Sequence, residues 1–176
     1  KGNVFIRGME RYVPLYEGKM IHLFDHRSGT YEGQTEAQAN KGMVPEVDDR
    51  QHADSEFSPM PGYWIPEGEV EARLEGRWDR RWLLGWRDIT GGEKVRTVIA
   101  GVVPRYGVGD KFLLMLPSVP ASGASLLGNL CSFAFDYIAR QKIGGTSLKY
   151  FTMKQLAVLS PQCFASDAPW DTSTEV

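Results

Sequence analysis

Apolar residues recur at helical spacing over residues 124–143. One face of the predicted helix holds Leu126, Leu130, Phe133 and Tyr137, with Leu127, Ala134 and Ile138 beside them. The opposite face holds Asn129, Asp136 and Arg140. Gly144 and Gly145 follow, where a residue with positive φ is expected to end the helix. The pattern therefore predicts one long amphipathic helix, and a second short helix is expected near residues 151–156.

Three apolar runs precede this helix, at residues 81–89, 96–103 and 111–116. Their length, their bounding Gly and Pro residues and the β-branched content of the second run predict strands. A turn at Gly91 and Gly92 separates the first two runs, and residues 106–110 form a turn before the third. We therefore expect a small antiparallel meander. Residues 63–65 predict a further short strand, and the acidic residues after Pro66 indicate a helix start.

Together these elements predict an α+β fold, in which a small antiparallel sheet packs against the long amphipathic helix. Residues 32–61 are polar and acidic, with little apolar periodicity, so we expect a long, partly mobile loop there. The length of 176 residues, a hydrophobic content of 42% and five Trp residues fit a folded core. We interpret residues 1–176 as a single domain with an acidic, loop-rich insertion at 32–61 and a tail at 162–176.

Charge is distributed unevenly along the chain. The net charge is +2 over residues 1–31, −8 over 32–75, +7 over 76–154 and −3 over 155–176, and it totals −2. Cations therefore concentrate in one half, which is consistent with a polyanion-binding face on an acidic surface. A pI of about 6.0 lacks the strong basicity of a dedicated nucleic-acid binder.

Cations cluster at two places in the basic half. Around the Gly144–Gly145–Thr146 turn lie Arg140, Lys142, Lys149 and Lys154, and backbone N–H groups and cations together suit phosphate. At or beside the predicted strand ends lie Arg87, Arg96, Arg105 and Lys111. For any one of these residues, a cation that complements a helix dipole or a solvated rim is the simpler interpretation. Their number favours a DNA-facing surface.

Other sequence features limit the functional classes. Cys131 and Cys163 have neither metal-ligand spacing nor the pattern of a disulfide framework, which predicts free thiols in a reducing cytoplasm. No apolar run reaches the ~18 residues of a membrane span, and the start lacks a signal-peptide pattern. Because the chain begins with Lys1, we expect that it belongs to a longer polypeptide.

Several blocks of the chain, in order, resemble one family. The blocks are residues 12–22, 24–27, 86–90, 96–100 with Pro104, 129–140, 141–146 and 154–156 leading to Pro161. They resemble the C-terminal region of large bacterial DNA adenine methyltransferases of single-polypeptide restriction–modification and phage-defence systems. The last portion is similar, more loosely, to target-recognition domains of Type I specificity subunits. Cys131 and Ala157 depart from the family pattern, which has Asn and Pro at these positions.

The resemblance implies a target-recognition domain of a Type II adenine-N6 methyltransferase. Its expected partners are double-stranded DNA and an N-terminal methyltransferase domain of the same polypeptide, in the cytoplasm. This chain lacks the Asn-Pro-Pro-Tyr type motif and the glycine-bearing S-adenosylmethionine site of those enzymes, so we expect that cofactor only in the parent enzyme. Catalysis by this chain alone is not expected.

Candidate DNA-binding residues follow from charge, hydrogen-bonding capacity and the resemblance. Cations and the glycine turn are expected to position phosphates, whereas Arg and Gln can read guanine and adenine edges. The candidates are Arg87, Arg96, Arg105, Lys111, Arg140, Gln141, Lys142, Gly144, Gly145, Thr146, Lys149 and Lys154, with Lys19, His22, His26 and Arg27 as secondary ones.

Two other functions remain open at this point. His22, Asp25 and His26 have a spacing that could ligate a metal ion for a hydrolase, although flanking Gly residues indicate a loop or hairpin. Alternatively, the chain is a docking module for the parent methyltransferase, in which the acidic segment or residues 12–27 contact the missing domain.

Overall fold

The computed structural model describes residues 2–165, and they form a mixed α+β fold. The strands are β1 (Phe5–Arg7), β2 (Glu10–Tyr16), β3 (Trp64–Pro66), β4 (Trp82–Arg87), β5 (Ala100–Pro104), β6 (Gly107–Val108) and β7 (Phe112–Met115). The α-helices are α1 (Glu36–Asn40), α2 (Asp49–Ala53), α3 (Glu67–Leu74), α4 (Gly123–Cys131), α5 (Phe133–Lys142) and α6 (Tyr150–Met153). The predicted strand near residues 63–65, the helix after Pro66 and the short helix near 151–156 are confirmed.

One sheet gathers the N-terminal strands. Strand β2 lies between β1 and β3 in antiparallel pairing, and its end also pairs in parallel with β6. Apolar side chains of β2, of α3 and of the strands β4, β5 and β7, together with those of the turns beside them, form one core cluster. The cluster contains Val13, Tyr16, Met20, Ile21, Val70, Leu74, Trp78, Leu83, Val103 and Phe112.

The second sheet has the order β5-β4-β7, with both pairings antiparallel. The predicted meander, in which the second strand lies in the middle, is therefore wrong in its order. After β5 the chain enters β6, which joins the other sheet, and it returns as β7 on the far edge of β4. Strand β4 lies in the middle of this sheet. Its residues Leu83, Leu84 and Trp86 are buried, so both of its faces are apolar and covered.

The predicted long helix is also wrong, because the chain breaks at Ser132 into α4 and α5. Ser132 has ψ of 151°, and its Oγ accepts a hydrogen bond from the N–H of Phe135 at 3.1 Å. The same hydroxyl donates to the carbonyl of Asn129 at 2.8 Å. The Ser132 hydroxyl thus pairs with a free carbonyl at the end of α4 and, as the N-cap of α5, with a free N–H group at the start of that helix.

The break rotates α5 relative to the predicted apolar face. Phe135, Asp136 and Ala139 point inward, whereas Phe133 and Tyr137 are 84% and 67% exposed. The predicted assignment of Asp136 to the solvent face is therefore wrong. Helices α4 to α6 cover the second sheet through a cluster of Trp86, Val98, Ala100, Leu130, Cys131, Phe135, Ala139, Leu148, Met153 and Leu156.

The connections differ from the sequence interpretation in detail. Helix α5 ends at Ile143 in extended conformation, and Gly144 and Gly145 are not among the described glycines with positive φ, which contradicts the expected glycine cap. The acidic segment 32–61 is mostly irregular, as predicted, although α1 and α2 each form within it behind a capping box. Most of the predicted tail, residues 166–176, lies outside the described residues. Across residues 2–165, none of the helices has the length and apolar character that crossing a bilayer requires.

Replacing Ser132 by Ala removes both hydrogen bonds of the junction between α4 and α5. We expect the free energy of unfolding to fall by about 1 kcal/mol, the usual cost of losing an N-cap. Urea denaturation followed by circular dichroism measures this change. Ser118→Ala, at a serine outside the helices, is the matched control, and equal stability of the two variants would contradict the capping role.

Candidate nucleic-acid interface

A buried carboxylate on α5 organises the loop between β4 and β5. Asp136 is 5% exposed, and its Oδ1 accepts hydrogen bonds from the backbone N–H groups of Thr97 and Val98, each at 2.8 Å. Arg96 Nε lies 3.3 Å from the same oxygen, and Arg140 Nη2 lies 3.4 Å from Oδ2. Two backbone donors and two guanidinium groups thus compensate a charge that would otherwise be costly to bury.

The segment 90–98, here called the 90–98 loop, is held from a second side as well. Arg140 Nη2 donates to the carbonyls of Lys94 and Val95, at 2.9 and 3.1 Å. The backbone N–H of Thr90 donates to the carbonyl of Thr146 at 3.0 Å. The loop, the end of α5 and the predicted glycine turn therefore form one continuous surface.

A cationic pocket of about 310 Å³ opens beside this loop, and we call it the Arg87 pocket. It unites three residues that the sequence analysis selected separately, namely Arg87, Arg96 and His22. No carboxylate occurs among the residues that line it, which are His22, Arg87, Ile89, Thr90, Lys94, Val95, Arg96 and Ile99. The nearby Glu93 is exposed and lies 3.8 Å from Lys94 Nζ. The pocket consequently has the charge of an anion site with partly apolar walls.

Arg87 is the cation of the pocket whose guanidinium has no protein partner among the described residues. Its side chain is half-buried at the end of β4, and that side chain has no hydrogen bond or ion pair with any residue in the described part of the chain. Burial lowers the pKa of the Arg87 guanidinium, but an arginine stays charged at neutral pH. A half-buried guanidinium without a protein partner keeps its donors available for an external anion, which would offset the hydration lost on burial.

Arg96 and Arg140 contribute charge but are anchored. Arg96 Nη2 donates to the carbonyl of Cys131 at 2.7 Å, and its buried Nε lies near Asp136 without hydrogen-bond geometry. Arg140 Nε donates to Thr97 Oγ1 at 3.2 Å. Both guanidinium groups shape the loop, so their substitution is expected to disturb the fold as well as any ligand.

The end of α5 presents groups that are open to a ligand. Lys142 is exposed and has no ion pair within residues 2–165, and Gln141 is exposed beside it. Gly144, Gly145 and Thr146 are exposed, and a side chain added at either glycine would meet empty space. These donors lie next to the Arg87 pocket, because Thr90 lines the pocket and its backbone N–H donates to the carbonyl of Thr146.

Two predicted lysines are engaged by a buried carboxylate instead. Asp88 is fully buried, and Lys149 Nζ lies 2.5 Å from its Oδ2 while Lys111 Nζ lies 3.8 Å away. The hydrogen bond to Asp110, and then the charge of that carboxylate, raise the pKa of Lys111. Lys149 and Lys111 therefore serve first to neutralise Asp88. Lys154 is exposed and borders an apolar pocket between α4 and α6.

Arg105 lies apart from the other candidates. Its Nε and Nη2 donate to both carboxylate oxygens of Glu71, at 3.0 and 2.6 Å, and Nη1 donates to the carbonyl of Trp78. Arg105 follows Pro104, which pairs with Trp82 at the start of β4. Since Arg87 is at the other end of that strand, roughly 17 Å separate the two sites along it. The structure thus gives Arg105 a structural role and does not bring it to the Arg87 pocket.

Three of the four secondary candidates, Lys19, His26 and Arg27, do not line the Arg87 pocket. Arg27 donates to the carbonyls of His52 and Asp54, both at 3.0 Å. Lys19 Nζ lies 3.7 Å from Glu17 Oε1. Burial is the main reason that the pKa of His26 is lowered. Of the secondary candidates, only His22 lines the Arg87 pocket.

The alternative metal site is not assembled among residues 2–165. His22 and Asp25 pair through their backbones in a tight turn, where Phe24 has φ of 59°. The Asp25 carboxylate accepts from the N–H of Arg27 and lies 3.1 Å from His52 Nε2. Within the described part of the chain, no three His, Cys, Asp or Glu side chains converge as a metal site would require.

Sequence reasoning missed two residues that shape this site. Asp136 precedes Arg140 by four positions, a spacing that indicates an ion pair but not its burial. Lys94 lies in a turn and carries no periodic signal. The roles of both residues can be recognised only when the fold places α5 against the loop before β5.

Replacing Asp136 by Asn removes the charge that Arg96 and Arg140 share. We expect the free energy of unfolding to fall by about 3 kcal/mol, because two cations lose a buried partner. Urea denaturation provides the measurement. Asp79→Asn, at a side chain that is 79% exposed, is the control, and an equally small effect of both changes would refute the organising role of Asp136.

Comparisons with known proteins add no assignment to these observations. The chain matched no protein-family model, no curated protein and no solved structure. A function for the chain must therefore be argued from its own side chains and their geometry.

Proposed function

We propose that this chain is a DNA-binding target-recognition domain that grips duplex DNA through the Arg87 pocket and the end of α5. The observation that carries the proposal is Arg87, a half-buried guanidinium without a partner among the described residues, in a pocket without carboxylates. Partial burial costs this cation some of its hydration, and a bound anion would replace the lost interactions.

A backbone phosphate fits the chemistry of this pocket. Arginine offers several N–H donors in a planar fork that matches phosphate oxygens, and Lys94 adds a second cation at the rim. Lys142 and the open turn at residues 144–146 extend the cationic surface beyond the pocket. A polymer of phosphates could contact both places at once, which a single small anion could not do.

Base reading requires side chains that reach a groove, and the structure offers Gln141 for this purpose. Gln141 is exposed at the end of α5, and its amide can form two hydrogen bonds to an adenine edge. Arg87 and Arg96 are recessed, so phosphate contact suits them better than base reading. The proposal thus divides the candidates into positioning cations and one amide that reads a base.

The more specific identity rests on the family resemblance. We propose that the parent polypeptide is a bacterial Type II adenine-N6 methyltransferase of a restriction–modification or phage-defence system, which acts in the cytoplasm. Its N-terminal domain would bind S-adenosylmethionine and carry the catalytic motif. This domain would hold the DNA that flanks an extruded adenine.

The double variant Arg87→Met/Lys142→Glu tests the proposed DNA surface. We expect its affinity for a mixed-sequence duplex to fall at least tenfold, because two phosphate-binding cations are lost. The slope of log affinity against log salt should decrease by about 2. Fluorescence anisotropy over a salt series measures both quantities. Arg140 is left intact because its contacts hold the 90–98 loop.

Arg77→Glu is the matched control, since Arg77 is exposed near the opposite end of β4 and pairs with no carboxylate in the described part of the chain. The single variant Arg87→Met should unfold at an equal or higher temperature than the wild type, because a half-buried unpaired charge is removed. Unchanged DNA affinity in the folded double variant would reject the proposal.

A further inference from the structure

The outward face of α5 is apolar and uncovered. Phe133, Tyr137 and Ile138 are 84%, 67% and 42% exposed, and Ala134 and Gln141 complete the same stripe. We call these five residues the outer α5 face. Within residues 2–165, no other element buries the rings of Phe133 and Tyr137. The opposite side of α5 is buried through Phe135 and Ala139.

The two aromatic residues are neighbours on one face of α5. Phe133 and Tyr137 are four positions apart on α5, which places side chains one above the other, with about 5–6 Å between their Cβ atoms. The guanidinium carbon of Arg96 lies 4.9 Å from the centroid of the Phe133 ring. One side of this ring is therefore held by a cation, as in a cation–π contact.

Positive charge flanks this face. Arg96 and Arg140 lie along the edge where α5 meets the 90–98 loop, and Lys94 is in that loop. The carboxylate that pairs with Arg96 and Arg140, Asp136, is buried and already accepts hydrogen bonds from two backbone N–H groups, and the exposed Glu93 lies 3.8 Å from Lys94 Nζ. Exposed aromatic rings beside cations are typical of surfaces that bind unpaired nucleic-acid strands. Protein–protein interfaces are also enriched in aromatic residues and Arg, so the occupant of this face is decided by its continuity with the Arg87 pocket.

Arg96 connects the two surfaces. It lines the Arg87 pocket, and its guanidinium group also contacts Phe133. A strand whose phosphates occupied the pocket would therefore pass beside the Phe133 ring. This continuity of charge and rings selects a nucleic acid as the occupant of the outer α5 face.

We propose that Phe133 and Tyr137 form a stacking platform for unpaired bases of the bound DNA. The inference rests on the proposed function, in which this domain holds a duplex from which one base is extruded. Extrusion leaves unpaired bases next to the gripped duplex, and they lose their stacking partners. The rings replace part of that stacking, and each ring accepts one base irrespective of its identity.

The test compares three fluorescein-labelled oligonucleotides by anisotropy: a fully paired duplex of about 20 base pairs, the same duplex with a central bubble of about three nucleotides, and one of its single strands. The variant Phe133→Leu/Tyr137→Leu keeps the face apolar but removes the π surfaces. We expect its affinity for the bubble and for the single strand to fall on the order of tenfold per ring. Affinity for the fully paired duplex should change by less than about twofold, because its bases stay stacked on one another.

Phe151→Leu is the matched control, because Phe151 is an aromatic side chain on α6 that is 78% exposed. Equal binding of bubble and single strand by the double Leu variant and the wild type would overturn the stacking platform. A wild type that prefers the paired duplex over the bubble would overturn it as well, and the proposed function would then stand without this inference. Failure of the wild type to bind any of the three oligonucleotides would reject both.

A second measurement separates nucleic acid from protein as the occupant. Sedimentation velocity of the wild type and of Phe133→Asp/Tyr137→Asp reports self-association through this face. We expect a monomer in both cases. A wild-type dimer that the Asp variant abolishes would overturn the proposal, because the outer α5 face would then be an interface between copies of this chain.

Discussion

The buried charge of Asp136 is the constraint on which the proposed interface depends. A carboxylate inside the fold requires donors and opposite charge. The backbone N–H groups of Thr97 and Val98 and the Arg140 guanidinium donate to Asp136, and Arg96 places a positive charge 3.3 Å away. Those donors lie in the 90–98 loop and on α5, so the carboxylate joins two segments that are distant in sequence. The Arg87 pocket and the outer α5 face exist side by side because of this junction.

The cations of the basic half divide into two groups by what surrounds them. Arg105 and Lys149 contact carboxylates at 2.6 and 2.5 Å, and Arg96 and Arg140 share Asp136. These side chains hold elements together, which explains why an excess of positive charge alone is weak support for DNA binding. The cations that remain available are few, and among them Arg87 is notable because it is half-buried and its side chain has no partner within residues 2–165.

Local patterns predicted the elements better than their arrangement. The apolar runs indicated β4, β5 and β7, but β6 joins the other sheet by pairing with Leu15, which no local pattern encodes. Seven helically spaced apolar positions suggested one helix, and the capping preference of Ser132 outweighed them. For the site, the sequence selected Arg87, Arg96 and the turn at 144–146, which the fold brings together. It also selected Arg105, whose pairing with Glu71 depends on where the fold places α3 relative to the end of β5.

Backbone NMR of the ¹⁵N-labelled chain, titrated with duplex DNA, would locate the DNA-binding surface residue by residue. We predict that amide shift changes concentrate at residues 87–96 and 140–146, around the Arg87 pocket and the end of α5. The amides of α3 and of the turn near Arg105 should remain unperturbed. Shift changes confined to α3, or to the hairpin of β1 and β2, would contradict the proposed interface, because the DNA would then bind a surface that the Asp136 junction does not organise.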